Sequence, residues 1–306
     1  MSLTKIDVFK PLPRKFILSI NNTYLDSLFE YKKHTDINKV LNNLSNINDE
    51  ILFSVLDIFS KNHYMYSDIL YYNLQTVEKE INLDTNNISG SYILTKDQNS
   101  ISYETLDDAY HESLHCASTF IDKEKDIIYS GFSVCIGDKI TFGEGITDGY
   151  IELLCQRDLH NNKVVNCYDK EKDNCQIAYC YSNAIARQLE IIIGKEKMEE
   201  LFFKVGLKGL IEFLSQYKSS DEVLNFIRNC DAAVLATSSK SILLKHKTLQ
   251  AQEFLFDICR KYFKDKKELL KYEKLVSLGS LNSKLTTSRI EDEIKNIKSE
   301  TESIMR

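Results

Sequence analysis

The sequence of 306 residues has no tryptophan, only two prolines and only ten glycines. That scarcity excludes collagen-like, proline-rich and loop-dominated chains. It favours helix, whose interior proline and glycine destabilise. No apolar run approaches the ~18 residues of a membrane span. Near the start, Lys5, Asp7 and Lys10 precede Pro11 and Pro13, and the apolar run 16–20 is too short for a secretory signal. The expectation is a cytoplasmic protein with no membrane partner. A basic excess is missing too. The 39 Lys and Arg against 45 Asp and Glu leave a net charge of −6, which argues against nucleic acid as the main partner. Apolar residues at 43% and charged residues at 27% describe a chain that can bury a core, not a disordered one.

Eight cysteines are present, but none forms a CxxC pair. Cys167, Cys175 and Cys180 cluster at spacings of eight and five, which match no paired zinc knuckle. They are expected to be free thiols that pack as small hydrophobes.

No internal repeat or low-complexity block divides the chain. Apolar positions from Ile37 to Phe59 follow the helical period, and Tyr64–Leu83 reads as a second helix. Ser91–Thr95 and Ser100–Tyr103 read as strands around a polar turn. Thr105 is placed to cap a helix from Leu106 to about Phe120, with Asp107 and Asp108 complementing its dipole. Residues 126–142 read as one hairpin turning at Gly137-Asp138. Further helices are expected from Glu144 to Leu159, Gln176 to Ile193 (ended by Gly194), Lys197 to Tyr217, Asp221 to Ala236 and Leu249 to Tyr272. The tail from Lys284 is highly charged. The fold class is therefore α+β and predominantly helical. We divide it into a helical N-terminal region 1–85, a core 86–215 and a helical C-terminal region 216–306.

Residues 111–115 are His-Glu-Ser-Leu-His, an HExxH motif. On a helix, positions i and i+4 share a face, so His111 and His115 can grip one metal ion. Glu112 is the next residue round, within reach of a metal-bound water, where a general base is needed. A chain of this composition would produce the motif by chance roughly 0.01 times. The plain alternative is a pair of histidines on an amphipathic helix. Ser118 and Ile121 stand where HExxHxxGxxH would have Gly and His, which excludes the metzincin pattern.

Downstream runs Gly143-Glu-Gly-Ile-Thr-Asp148, with Glu144 29 residues beyond His115 and Asp148 one turn further along the same face. Together with HExxH, this segment resembles the gluzincin metallopeptidases, over about residues 101–158. In some of these the third ligand is the Glu of an Asn-Glu-Gly segment. In others it is the Glu of ExxxD, whose Asp orients a ligand histidine. Gly143 stands where Asn is commoner. The resemblance implies a zincin-like core with a small sheet and two metal-binding helices, holding one Zn²⁺ per chain. It implies His111, His115 and Glu144 as metal ligands, Asp148 as the orienting carboxylate and Glu112 as catalytic base. It further implies hydrolysis of a peptide or protein substrate. Zincins add substrate along a sheet edge, for which Tyr92–Leu94 is a candidate, although an internal strand reads equally well.

A donor for the developing oxyanion is also needed, and Tyr179 and Tyr181 are candidates at the start of the following helix. Glu152 lies about 80° from Glu144 around the helix, so it is the poorer ligand. His160 reads as a surface residue and Cys116 as a packing one. Two rivals stand beside this reading. One is a repressor-cleaving regulatory protease of a mobile element. The other is a non-catalytic zincin-like interaction protein, against which the intact Glu112 argues. The oligomeric state is not legible.

Overall fold

The computed structural model describes residues 50–79, 90–95, 97–122, 125–136, 140–161, 167–169, 174–176, 179–238 and 241–262, with isolated positions at 36, 38–40, 42, 265 and 267. The apolar run 16–20, most of the helix expected over 37–49, the Gly137-Asp138 turn, most of the 161–174 loop, the end of the 249–272 helix and the charged tail lie outside these residues.

The order begins with helices α1 (Glu50–His63) and α2 (Ser67–Leu74). Strands β1 (Glu78–Lys79), β2 (Gly90–Leu94) and β3 (Asn99–Tyr103) follow, then helix α3 (Leu106–Ala117). Next come β4 (Thr119–Asp122), β5 (Ile127–Ser130), β6 (Ser133–Ile136), β7 (Ile140–Phe142) and α4 (Glu144–His160). The short pair β8 (Cys167–Asp169) and β9 (Asn174–Gln176) leads into α5 (Cys180–Ile193). Helices α6 (Lys195–Glu200) and α7 (Gly206–Leu214) are joined by a π-helical turn, and α8 (Ser220–Ser238) and α9 (Ile242–Tyr262) complete the order. The chain is thus mostly helical with small sheets. Among the described residues no helix is long and apolar enough to cross a membrane.

Several expectations are corrected. The helix read over 64–83 ends at Leu74, and Glu78–Lys79 instead pairs parallel with β3. The helix carrying HExxH stops at Ala117, where the Ser118 and Thr119 hydroxyls donate to the Leu114 and His115 carbonyls, Asn73 donates to the Cys116 carbonyl, and β4 begins at Thr119. The single hairpin read over 126–142 is three strands. The extra turn sits at Gly131, whose φ of +53° suits the first linking position of a two-residue hairpin loop. The helix read from Gln176 starts at Cys180, and residues 174–176 form β9.

Two sheets, the first mixed and the second antiparallel, flank α3 in the chain order. In the first sheet the order is β1-β3-β2, so β2 lies at an edge among the described strands and pairs antiparallel with β3. The second sheet runs β4-β5-β6-β7 and delivers the chain into α4. Helix α4 is buried from Glu144 to Gln156 on almost every face, with Glu152 only partly so. A helix covered on all sides belongs in the middle of a fold, and α4 packs against α1, α3, α5 and α8. The main apolar cluster draws on residues from Val40 to Ile258. Phe59, Phe132, Tyr150, Phe202 and Phe203 form its aromatic centre through edge-to-face and tilted contacts.

Candidate metal centre

Helix α3 begins as the sequence indicates. Thr105 accepts a hydrogen bond from the Asp108 backbone N–H at 3.2 Å, and the Asp108 carboxylate accepts one from the Thr105 N–H at 3.1 Å. This reciprocal capping box satisfies two helix-end donors. At the other end, Asn73 from α2 donates to the carbonyls of Cys116 at 2.8 Å and Thr119 at 2.9 Å. Tyr110, fully buried, donates to Asp158 of α4 at 2.8 Å. The helix bearing HExxH is therefore fixed at both ends and along its back.

The front of α3 presents the two histidines, whose ring centroids are 5.2 Å apart. The Nδ1 of His115 lies 3.4 Å from the hydroxyl of Ser130 on β5, which in turn accepts a hydrogen bond from Thr119 at 2.8 Å. The opposite ring nitrogen, Nε2, lies 3.4 Å from Oδ1 of Asp148. A partner on one imidazole nitrogen sets which nitrogen faces a metal. His111, His115 and Asp148 each offer a ligand atom, and these atoms lie within 4.8 Å of one another. Two imidazoles and one carboxylate are a donor set that a hydrolytic zinc ion accepts.

The structure thus gathers His111, His115 and Asp148, and Glu144 stands outside that group. Glu144 occupies the first position of α4, a full turn before Asp148 on the same face. Helical spacing reveals which face a carboxylate shares, but not which turn lies level with the histidines. Glu144 is 9% exposed. Burial, followed by the nearby charges of Asp148 and Asp231, raises its pKa above the usual carboxylate range.

Glu112 is half-buried beside the two histidines in α3. Gly90, the first residue of β2, sits against it, and a Cβ at position 90 would lie 3.2 Å from Glu112 Cγ and 3.3 Å from Oε1. The edge strand therefore begins beside the carboxylate of the candidate base. Tyr92 and Leu94 belong to this edge strand.

Tyr179 stacks on His111 with ring centroids 5.9 Å apart and planes 18° apart. It precedes α5 with φ 53° and ψ 31°, a left-handed conformation that few non-glycine residues adopt and that recurs at functional sites. The carboxylate of Asp148, then burial, then Glu112, Glu144 and Glu152 raise its pKa, so it keeps its proton and is equipped to donate. Tyr181 packs instead against the apolar core. Glu152 accepts a hydrogen bond from Gln156 at 2.9 Å. His160 pairs with Asp107 at 3.0 Å, joining the C-terminal end of α4 to the first turn of α3. Cys116, Cys135, Cys155, Cys230 and Cys259 are buried free thiols.

The glycines around Glu144 answer to close packing. Gly143 has φ +85°, and a Cβ there would lie 2.0 Å from the Phe132 carbonyl oxygen. A Cβ at Gly145 would lie 2.0 Å from the Cys230 carbonyl oxygen. The start of α4 is therefore held between the β5–β6 turn and α8 at backbone contact distance. Sequence reasoning did not reach Ser130, Gly90 or Asp231, which enter the site from other elements and carry no motif.

No protein-family model, no curated protein and no solved structure matches the chain.

Proposed function

We propose that the protein is a metal-dependent hydrolase of peptide bonds, an HExxH metallopeptidase that departs from the gluzincin pattern in having Asp148, not Glu144, as the third metal ligand. The observation that carries this reading is the convergence of His111, His115 and Asp148, beside the Glu112 that completes HExxH. When bound, zinc would supply a water with its pKa lowered to about 7 and a Lewis acid for a carbonyl oxygen. Glu112 takes a proton from the attacking water and returns it to the leaving amine. Ser130 orients the His115 ring. Tyr179, protonated and lying over His111, donates to the developing oxyanion. The edge strand β2, whose first residue Gly90 lies against Glu112, offers backbone groups to an extended substrate peptide. Glu144 remains beside Asp148 as a buried carboxyl with a raised pKa.

The test is metal analysis together with a broad peptide-library digest of wild type and Glu112→Gln. We expect about one zinc per chain in both, with cleavage only in wild type. Wild-type protein that holds no zinc after gentle purification would sink the proposal.

A further inference from the structure

We infer that Asp231, on α8, is a positioning residue for the metal centre. It anchors the first turn of α4 and so sets where Asp148 stands opposite the histidines. This rests on the metal-site reading above, and it assigns a role to a residue 83 positions beyond Asp148 in the chain.

Helix α4 has no local side-chain cap at its start. The first N–H groups of a helix have no partner inside it, and a side chain at the N-cap normally accepts from one of them. The N-cap of α4 is Gly143, which has no side chain to do so. Asp231 supplies the acceptor from a distance. Its Oδ2 accepts from the Gly143 N–H at 3.2 Å and its Oδ1 from the Gly145 N–H at 3.1 Å. Its side chain is 0% exposed. A carboxylate at this end also complements the helix dipole.

The anchor is itself held. Arg228 Nη1 lies 3.8 Å from Asp231 Oδ2, donates to the Thr141 carbonyl at 3.4 Å, and its guanidinium carbon sits 4.9 Å above the Phe142 ring. One turn of α8 therefore grips both the end of β7 and the beginning of α4. Gly145 permits the approach, because any side chain there would strike the Cys230 carbonyl. Asp148 lies about one helical turn beyond this anchored end. Zinc accepts carboxylate oxygen only near 2.0–2.2 Å, so loosening the first turn displaces a ligand without removing it. Losing an outer partner of a ligand typically costs ~10–100-fold in metal affinity.

The experiment uses the full chain with zinc and cobalt(II) as probes. Zinc affinity is measured by chelator competition and cobalt coordination by visible absorption, for wild type, Asp148→Asn and Asp231→Asn, with circular dichroism as a check of folding. We expect Asp231→Asn to fold, to bind zinc ~10–100-fold more weakly, and to change the cobalt bands. A folded Asp231→Asn with wild-type affinity and bands would overturn the inference, even if Asp148→Asn loses the metal. If wild type binds no metal, the metal reading fails and the inference with it. Should Asp231→Asn not fold, hydrogen exchange on wild type decides. Zinc should then protect the 227–233 segment of α8, which carries no ligand, as well as 143–148. Protection confined to 143–148 would overturn the inference.

Discussion

Tyr110→Phe removes one oxygen atom from the back of the metal helix. The ring is fully buried and stays in place, so no cavity larger than a hydroxyl opens. What is lost is a 2.8 Å hydrogen bond to Asp158, whose side chain is 3% exposed and whose other partner is His63 Nε2, also at 2.8 Å. A hydrogen bond to a charged group contributes about 1.5–3 kcal/mol. With a urea dependence of ~3 kcal/mol per molar, suited to a chain of this size, the unfolding midpoint should fall by about 0.5–1 M. The slope should not change, because the surface buried is the same. The assay is urea unfolding followed by circular dichroism at pH 6.5. A midpoint within ~0.2 M of wild type would refute the reasoning. It would mean that Asp158 is satisfied without the phenol, and that the buried group linking α1, α3 and α4 does not stabilise their packing.

The same group carries a pH dependence. Burial lowers the pKa of His63, but hydrogen bonding and charge from Asp158 and Glu199 outweigh it, so the net shift is upward. Its stabilisation is then full below the unfolded value near 6.5 and is lost as pH rises through the higher folded value. Asp158→Asn should therefore lower stability most at pH 5.5 and least at pH 8.5, and an equal loss at both would contradict this assignment. Burial also pushes the Asp231 carboxyl up to about 7, against two backbone N–H groups and Arg228. The metal-free protein should lose stability as pH rises from the ordinary carboxylate range through 7; Asp231→Asn should make that loss smaller, leaving the part due to Glu144 and His63, and melting curves across pH would report it. Gly145→Ala drives a Cβ to 2.0 Å from a backbone oxygen, so it should cost about 3 kcal/mol or more, and an unchanged melting temperature would argue against the α4–α8 contact. Asn73→Ala leaves the Cys116 and Thr119 carbonyls without their amide donor and should cost about 2 kcal/mol or more in the same urea assay.

The readable parts of the sequence were those set by local chemistry. Thr105 with Asp108 marked the start of α3, Gly194 marked the end of α5, and the two short runs around a polar turn, 91–95 and 100–103, marked β2 and β3. The HExxH spacing placed both histidines on one face. Other features depend on tertiary partners and left no local trace. Asn73, 43 residues before Cys116, ties the junction of α3 and β4 from α2 by donating to the Cys116 and Thr119 carbonyls. Tyr179 holds a left-handed backbone with no flanking glycine or turn signal. The choice between Glu144 and Asp148 is a question of depth along α4. That depth is set by α8, through Cys230 and Asp231.

X-ray diffraction from zinc-loaded crystals, with anomalous data collected at the zinc edge, tests the central claim most directly. The account predicts one peak, about 2.0–2.2 Å from a ring nitrogen of His111, a ring nitrogen of His115 and a carboxylate oxygen of Asp148. A peak ligated by Glu144 in place of Asp148, or no peak between α3 and α4, would contradict it.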